Sequence, residues 1–256
     1  MGFYDLTKEE RIVLVNRIYK EIEKDLAKDQ TKSLQVYFSD QDTYIRKTGY
    51  LAIGKIFYNN RELRKKIIVV LATLLKSEEP KIRQTVVNAA GEIGKCHFNL
   101  VKGFFDVSLF DEHHSVRNAV IGSMKKMGQV NPKPILVWSE SYLTHPEKEI
   151  RREICHGLEL RGRTHPQDIL PLLKKLEFDE TKRVSDTLVH VLGQISYKKG
   201  CLQTVVSNLK TWENKELVRK AMDEIVDVHN RYKSFAVLSQ QQVIDYIDKN
   251  YSNEYN

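Results

Sequence analysis

The sequence predicts an all-α solenoid, and three observations carry that expectation. One pattern recurs along the chain: an acidic or polar turn, a β-branched residue, an Arg, then an apolar helix. Successive recurrences lie about 35 residues apart, the length of two antiparallel helices. The intervening apolar residues recur near every 3.6 positions, without the alternation of a half-buried strand.

The first element is a helix opened by Thr7-Lys8-Glu9-Glu10, a capping box, with an apolar stripe through Ile12, Val15, Ile18, Ile22 and Leu26. This helix caps the N-terminal end over residues 1–30. Repeats follow over 31–232, their second helices anchored at Arg46, Arg83, Arg117, Arg151, Lys182 and Arg219. Four middle repeats place a glycine eleven residues after the anchor, at Gly94, Gly128, Gly162 and Gly193, and that register puts Lys182 rather than Arg183 in the Arg slot. Each anchored helix follows another apolar segment, among them ELRKKIIVVLATLLK, NLVKGFFDVSLF, PKPILVWSESYL, PQDILPLLKKLEF and CLQTVVSNLKTW. Ser239 is placed to N-cap a last helix carrying Val243, Ile244 and Ile247, within 233–256. The period is HEAT-like. The expectation is a single domain over 1–256: a right-handed superhelix of about six HEAT-like helix pairs with a capping helix at each end.

Composition narrows the function classes. With 41% hydrophobic and 29% charged residues the chain buries a core, and only 12 Gly and 6 Pro leave no linker. The longest apolar run, Ile67 to Leu75, is too short to span a membrane, and charges at Asp5, Lys8, Glu9 and Glu10 interrupt any signal peptide, so a cytoplasmic protein is expected. Cys96, Cys155 and Cys201 offer neither a disulfide framework nor a CxxC metal pair. The net charge of +7 favours an anionic partner.

Helical offsets from each anchor split the second helices into a buried and an open stripe. In the fourth repeat Ile150, Ile154, Cys155 and Leu158 turn inward, while Arg152, His156, Glu159 and Arg163 face out. The fifth places Arg183, Thr187, His190 and Gln194 outward, and the sixth Lys220, Glu224, Asp227 and Arg231. Positive charge on this stripe gathers from the fourth repeat onward. Such a row suits a phosphate backbone, an acidic helix or tail of a protein partner, or water alone. The anchor arginines, beside buried residues and acidic turns, are expected to hold repeats in register through charged hydrogen bonds.

From Trp138 to about Tyr232 the chain resembles the bacterial HEAT-like alkylpurine DNA glycosylases of the AlkC and AlkD type, especially the AlkC branch. The resemblance rests on HPEKEIRREICHG, DILPLLKKLEFDE and RVSDTLVHVLGQIS followed by Trp212. It implies a partner in double-stranded DNA and hydrolysis of the bond between an alkylated purine and deoxyribose, which needs a carboxylate beside the developing cation and a positioned water. The family's two acids fall on His156 and Gln194, and its lesion-contacting aromatic falls on Thr164. The resemblance therefore implies DNA binding with weak or no glycosylase activity, through Arg152, Arg163, Arg183, His190, Lys220 and Arg231. Glu159 and Asp186 are the nearest substitutes for the missing acids. Trp138 and Trp212 sit in apolar first helices and are expected in the core. No cofactor motif is present, and His113, His114, His145, His156 and His165 show no metal-ligand spacing, so no metal is expected.

Overall fold

A computed structural model describes residues 2–251. Among them thirteen α-helices follow one another without a strand, and they gather into two compact units that divide between Asn131 and Pro132.

The first unit opens with α1 (Lys8–Ala27). Thr7 Oγ1 accepts the Glu10 N–H at 3.2 Å and the Glu10 carboxylate accepts the Thr7 N–H at 2.8 Å, so the capping box forms and holds the Glu10 carboxyl below its ordinary pKa. Ile18, Ile22 and Leu26 are fully buried, whereas Ile12 and Val15 are 54% and 39% exposed. The expected apolar stripe is thus covered only along its C-terminal half, where α2 (Lys32–Ser39) and α3 (Thr43–Asn59) pack. The unit continues through α4 (Arg64–Leu74), α5 (Pro80–Ser108) and α6 (His114–Val130). The long α5 breaks at His97, with φ −126° and ψ 49°, so its two arms serve as the second helix of one pair and the first helix of the next.

The second unit runs through α7 (Pro132–Glu140), α8 (Lys148–Gly162), α9 (Pro166–Leu173), a 3-10 turn, α10 (Lys182–Gln194), α11 (Cys201–Leu209), α12 (Lys215–Arg231) and α13 (Gln240–Asn250). The second helices α8, α10 and α12 pack in succession. Their inward residues Ile154, Cys155, Leu158, Val184, Leu188, Val191, Val218 and Ile225 are at most 1% exposed, and burying each such side chain contributes about 1.5–3 kcal/mol before conformational entropy is counted. Ser239 N-caps α13 as expected, with Val243 and Ile247 buried. No helix among the described residues is long and apolar enough to cross a membrane.

The recurrent arginine is a clamp. Arg46, Arg83, Arg117 and Arg151 each donate from Nη1 to the carbonyls six and five residues upstream, which ties the helix to its own preceding turn. Arg83 and Arg151 also reach across to the next turn, where each grips a carboxylate with two nitrogens: Asp111 at 2.8 and 2.9 Å, Asp179 at 2.5 and 3.1 Å. Lys182 cannot reproduce this fork. It lies exposed against Asp186 at 2.7 Å.

The repeated glycine marks a close crossing. A Cβ on Gly162 would stand 2.3 Å from Ile169 Cδ1 and 2.6 Å from Ile195 Cγ2, and one on Gly193 would stand 2.5 Å from Glu224 Cγ. The fully buried Ile169 and Ile195 have little room to withdraw. Gly162→Val is therefore expected to destabilise the second unit by about 1–3 kcal/mol, read as a lower urea midpoint with an unchanged m-value.

Candidate nucleic-acid interface

Helices α8 and α10 frame an open hollow of about 300 Å³ lined by Arg152, His156, Arg183, Asp186, Thr187 and His190. The offsets from the anchors therefore bring the expected side chains together. The surrounding charge differs from the expectation, because every proposed cation already faces a carboxylate. Arg152 Nε lies 2.9 Å from Glu149, which also receives Arg183 at 2.9 Å; Lys220 meets Glu216 at 2.6 Å; Arg163 meets Glu159 at 2.5 Å. Arg231 pairs with Asp227 at 2.6 Å and with Glu224, whose carboxylate is also 3.5 Å from His190 Nδ1.

Two acids, Glu149 and Glu224, thus bridge neighbouring helices within the unit. Burial pushes the Glu149 carboxyl up, but the hydrogen bond and charge of Arg152, with Arg183, hold it below its ordinary pKa. Counting cations along a stripe overlooks such acids. The available signal was spacing: Glu149 stands three residues before Arg152, Glu159 four before Arg163 and Glu216 four before Lys220.

Two residues expected on the open stripe are buried instead. Glu159 is 4% exposed and Gln194 1%. The reason lies in the glycine crossings: close approach at Gly162 and Gly193 draws the following helix over the last turn of α8 and α10. Arg163 spans that closure, donating to Gln194 Oε1 at 2.7 Å while pairing with Glu159. Glu159 is committed on both oxygens, Oε1 to Arg163 and Oε2 to His156 Nε2 at 3.1 Å. Asp186 stays exposed on the rim and pairs with Lys182. Neither acid stands as an uncommitted carboxylate beside the hollow.

His156, Glu159 and His190 bring ligand atoms within 4.8 Å of one another, a grouping hidden from sequence spacing because it joins two helices. Two imidazoles and a carboxylate are ligands of the zinc-binding kind. Here, however, the Glu159 carboxylate is already shared between Arg163 on Oε1 and His156 on Oε2. Cys155 is fully buried beside this set and burial pushes its thiol pKa up, which leaves it protonated and inert. Trp138 and Trp212 are 3% and 1% exposed, core residues as expected.

The basic excess of the chain also lies elsewhere. Residues 1–131 hold 22 Lys and Arg against 16 Asp and Glu, while residues 132–256 hold 19 against 18.

No protein-family model matches the chain, and no curated protein matches it in sequence. Solved structures do. The crystal structure of AlkD2 from Streptococcus mutans superposes with a TM-score of 0.54 at 17% identity, covering 81% of this chain and 97% of that one. The smu.31 protein of Streptococcus mutans UA159 follows at a TM-score of 0.47 and 17% identity, covering 81% and 95%. Pds5, in its complex with Scc1, gives 0.48 at 13% identity, covering 95% and 38%. The repeated helix pairs, the anchor clamps and the likeness to AlkD2 agree on one conclusion: this chain has the all-α, HEAT-like repeat fold that AlkD2 has.

Proposed function

We propose that residues 132–256 bind the backbone of double-stranded DNA, as a protein of the alkylation-repair kind, without hydrolysing the N-glycosidic bond. The observation that carries this reading is the hollow between α8 and α10, where Arg152, Arg183, His156 and His190 stand together at an open surface. Arg163, Lys220 and Arg231 extend the contact. Ion pairs as exposed as those of Arg183, Lys220 and Arg231 stabilise by only about 0–1 kcal/mol, so a phosphate can replace the carboxylate as their partner at little cost. The fold shared with AlkD2 supports the same reading.

The missing chemistry follows from charge. Gln194 is neutral and buried, Glu159 lies under Arg163 and His156, and Asp186 on the rim is paired with Lys182, so neither nearby acid offers an uncommitted carboxylate to steady a cationic sugar.

Duplex binding titrated at two salt concentrations tests the proposal. Arg152→Glu, Arg183→Glu and Lys220→Glu are each expected to weaken binding several-fold and to lessen its salt dependence by about one phosphate. No methylated purine is expected to be released from treated DNA at high protein concentration. Duplex affinity unchanged in all three variants overturns the reading, as does the recovery of one stoichiometric acidic protein by a chain that retains no duplex at low salt.

A further inference from the structure

A second cavity, of about 550 Å³, lies in the first unit, far in sequence from the arginines just described. Its walls are aromatic and apolar: Phe3, Tyr4, Tyr19 and Tyr44, with Val15, Leu51 and Ala52. Tyr4, Tyr44 and Leu51 are 61%, 42% and 42% exposed, so the wall faces solvent. The rings are held in place. Phe3 stacks on Tyr44 with centroids 6.1 Å apart, and Tyr4 and Tyr44 meet nearly perpendicular with centroids 4.4 Å apart. Asp42 pins this arrangement by accepting the Phe3 N–H at 2.5 Å and the Tyr44 N–H at 2.7 Å. Those bonds, with that of Phe3 foremost, hold its carboxyl below the ordinary pKa.

Two lysines of α3, Lys47 and Lys55, line the same cavity. Among the described residues neither has a carboxylate partner, in contrast to the cations of α8, α10 and α12. Lys55 instead lies 5.1 Å from the centre of the Tyr19 ring. Their separation of eight residues spaces them about 12 Å apart along the helix axis. Asn16 and Thr48 add polar side chains to the wall.

We propose that this groove binds a nucleoside phosphate, its base against the exposed tyrosine faces and its phosphate on Lys47 or Lys55. Aromatic faces accept any base by stacking, and unpartnered ammonium groups supply the matching charge. An aliphatic ligand would leave the lysines without a counter-charge. A second copy of the chain across a two-fold axis would bring four lysines into one interface. The ligand is either a free nucleotide or one residue of a single strand, and the lysine spacing lets an extended strand meet both cations.

Fluorescence anisotropy on the full chain separates these sources, with a labelled eight-residue oligothymidylate as probe and unlabelled adenosine monophosphate as competitor. Strand binding is expected to fall about tenfold in Tyr44→Ala and in Lys47→Glu, and further in the Lys47→Glu, Lys55→Glu pair. Arg152→Glu, in the other unit, is expected to leave it unchanged, which keeps this result independent of duplex binding. Competition by the mononucleotide at similar affinity assigns the groove to free nucleotides, and a strand at least tenfold tighter assigns it to single strands. Circular dichroism of each variant confirms that it folds. Absence of binding by both probes, binding insensitive to the Tyr44 and lysine changes, or a concentration-dependent dimer abolished by Tyr44→Ala overturns the proposal.

Discussion

Arg151→Ala is expected to lower the stability of residues 132–256 by about 3 kcal/mol, because it strips a nearly buried carboxylate of its partner. Asp179 has a side chain only 6% exposed, accepts two bonds from Arg151 and also takes the Thr181 N–H at 2.9 Å. The same substitution frees the carbonyls of His145 and Pro146. Burial pushes the Asp179 carboxyl up, but the hydrogen bonds from Arg151 and Thr181 together with the Arg151 charge outweigh it, and the folded pKa lies below the ordinary value. The pair's contribution is therefore complete above the unfolded carboxyl pKa and is lost as pH falls through the folded one. Urea unfolding at a series of pH values checks this. The gap between wild type and Arg151→Ala should be widest near neutrality and close in acid; a gap that widens in acid would refute the assignment. Both tryptophans lie in this unit, so their fluorescence follows its unfolding within the full chain.

Trp212→Ala is expected to cost about 3–5 kcal/mol, the largest effect of any single truncation in the second unit. The ring is 1% exposed and its Nε1 donates to Asn208 Oδ1 at 3.0 Å, so both its apolar body and its one donor are satisfied inside the protein. A tryptophan that stacked on a DNA base would show the opposite pattern, with stability retained and affinity lost. Trp212→Phe separates the two: duplex affinity unchanged with a modest fall in melting temperature supports the core role, whereas a large fall in affinity alone would contradict it.

Much of the fold was legible because repeats announce themselves by period. The anchors at Arg83 and Arg151, the glycines eleven residues later, the capping box at Thr7, the N-cap at Ser239 and the burial of Trp138 and Trp212 all follow from local spacing. The candidate site was legible only in part. Arg152, Arg183 and His190 converge where the offsets put them, since a single helix face sets their direction. Glu159 and Gln194 departed because the cover over a helix end comes from the next pair.

What the sequence determined by itself is the set of helices, the inward stripe of α8, α10 and α12, and the identity of the residues at the two positions where the resembled family carries acids. Only the tertiary structure decided that Glu149 also takes Arg183 and Glu224 also faces His190 from the neighbouring helix, that Gly162 and Gly193 bring the next helix close enough to bury their neighbours, and that Lys47 and Lys55 stand beside an aromatic wall without a carboxylate partner. The physical reason is range. Helix formation and capping act over three or four residues and are written in adjacent letters, while ion pairing and close packing join groups some thirty residues apart, such as Arg183 and Glu149.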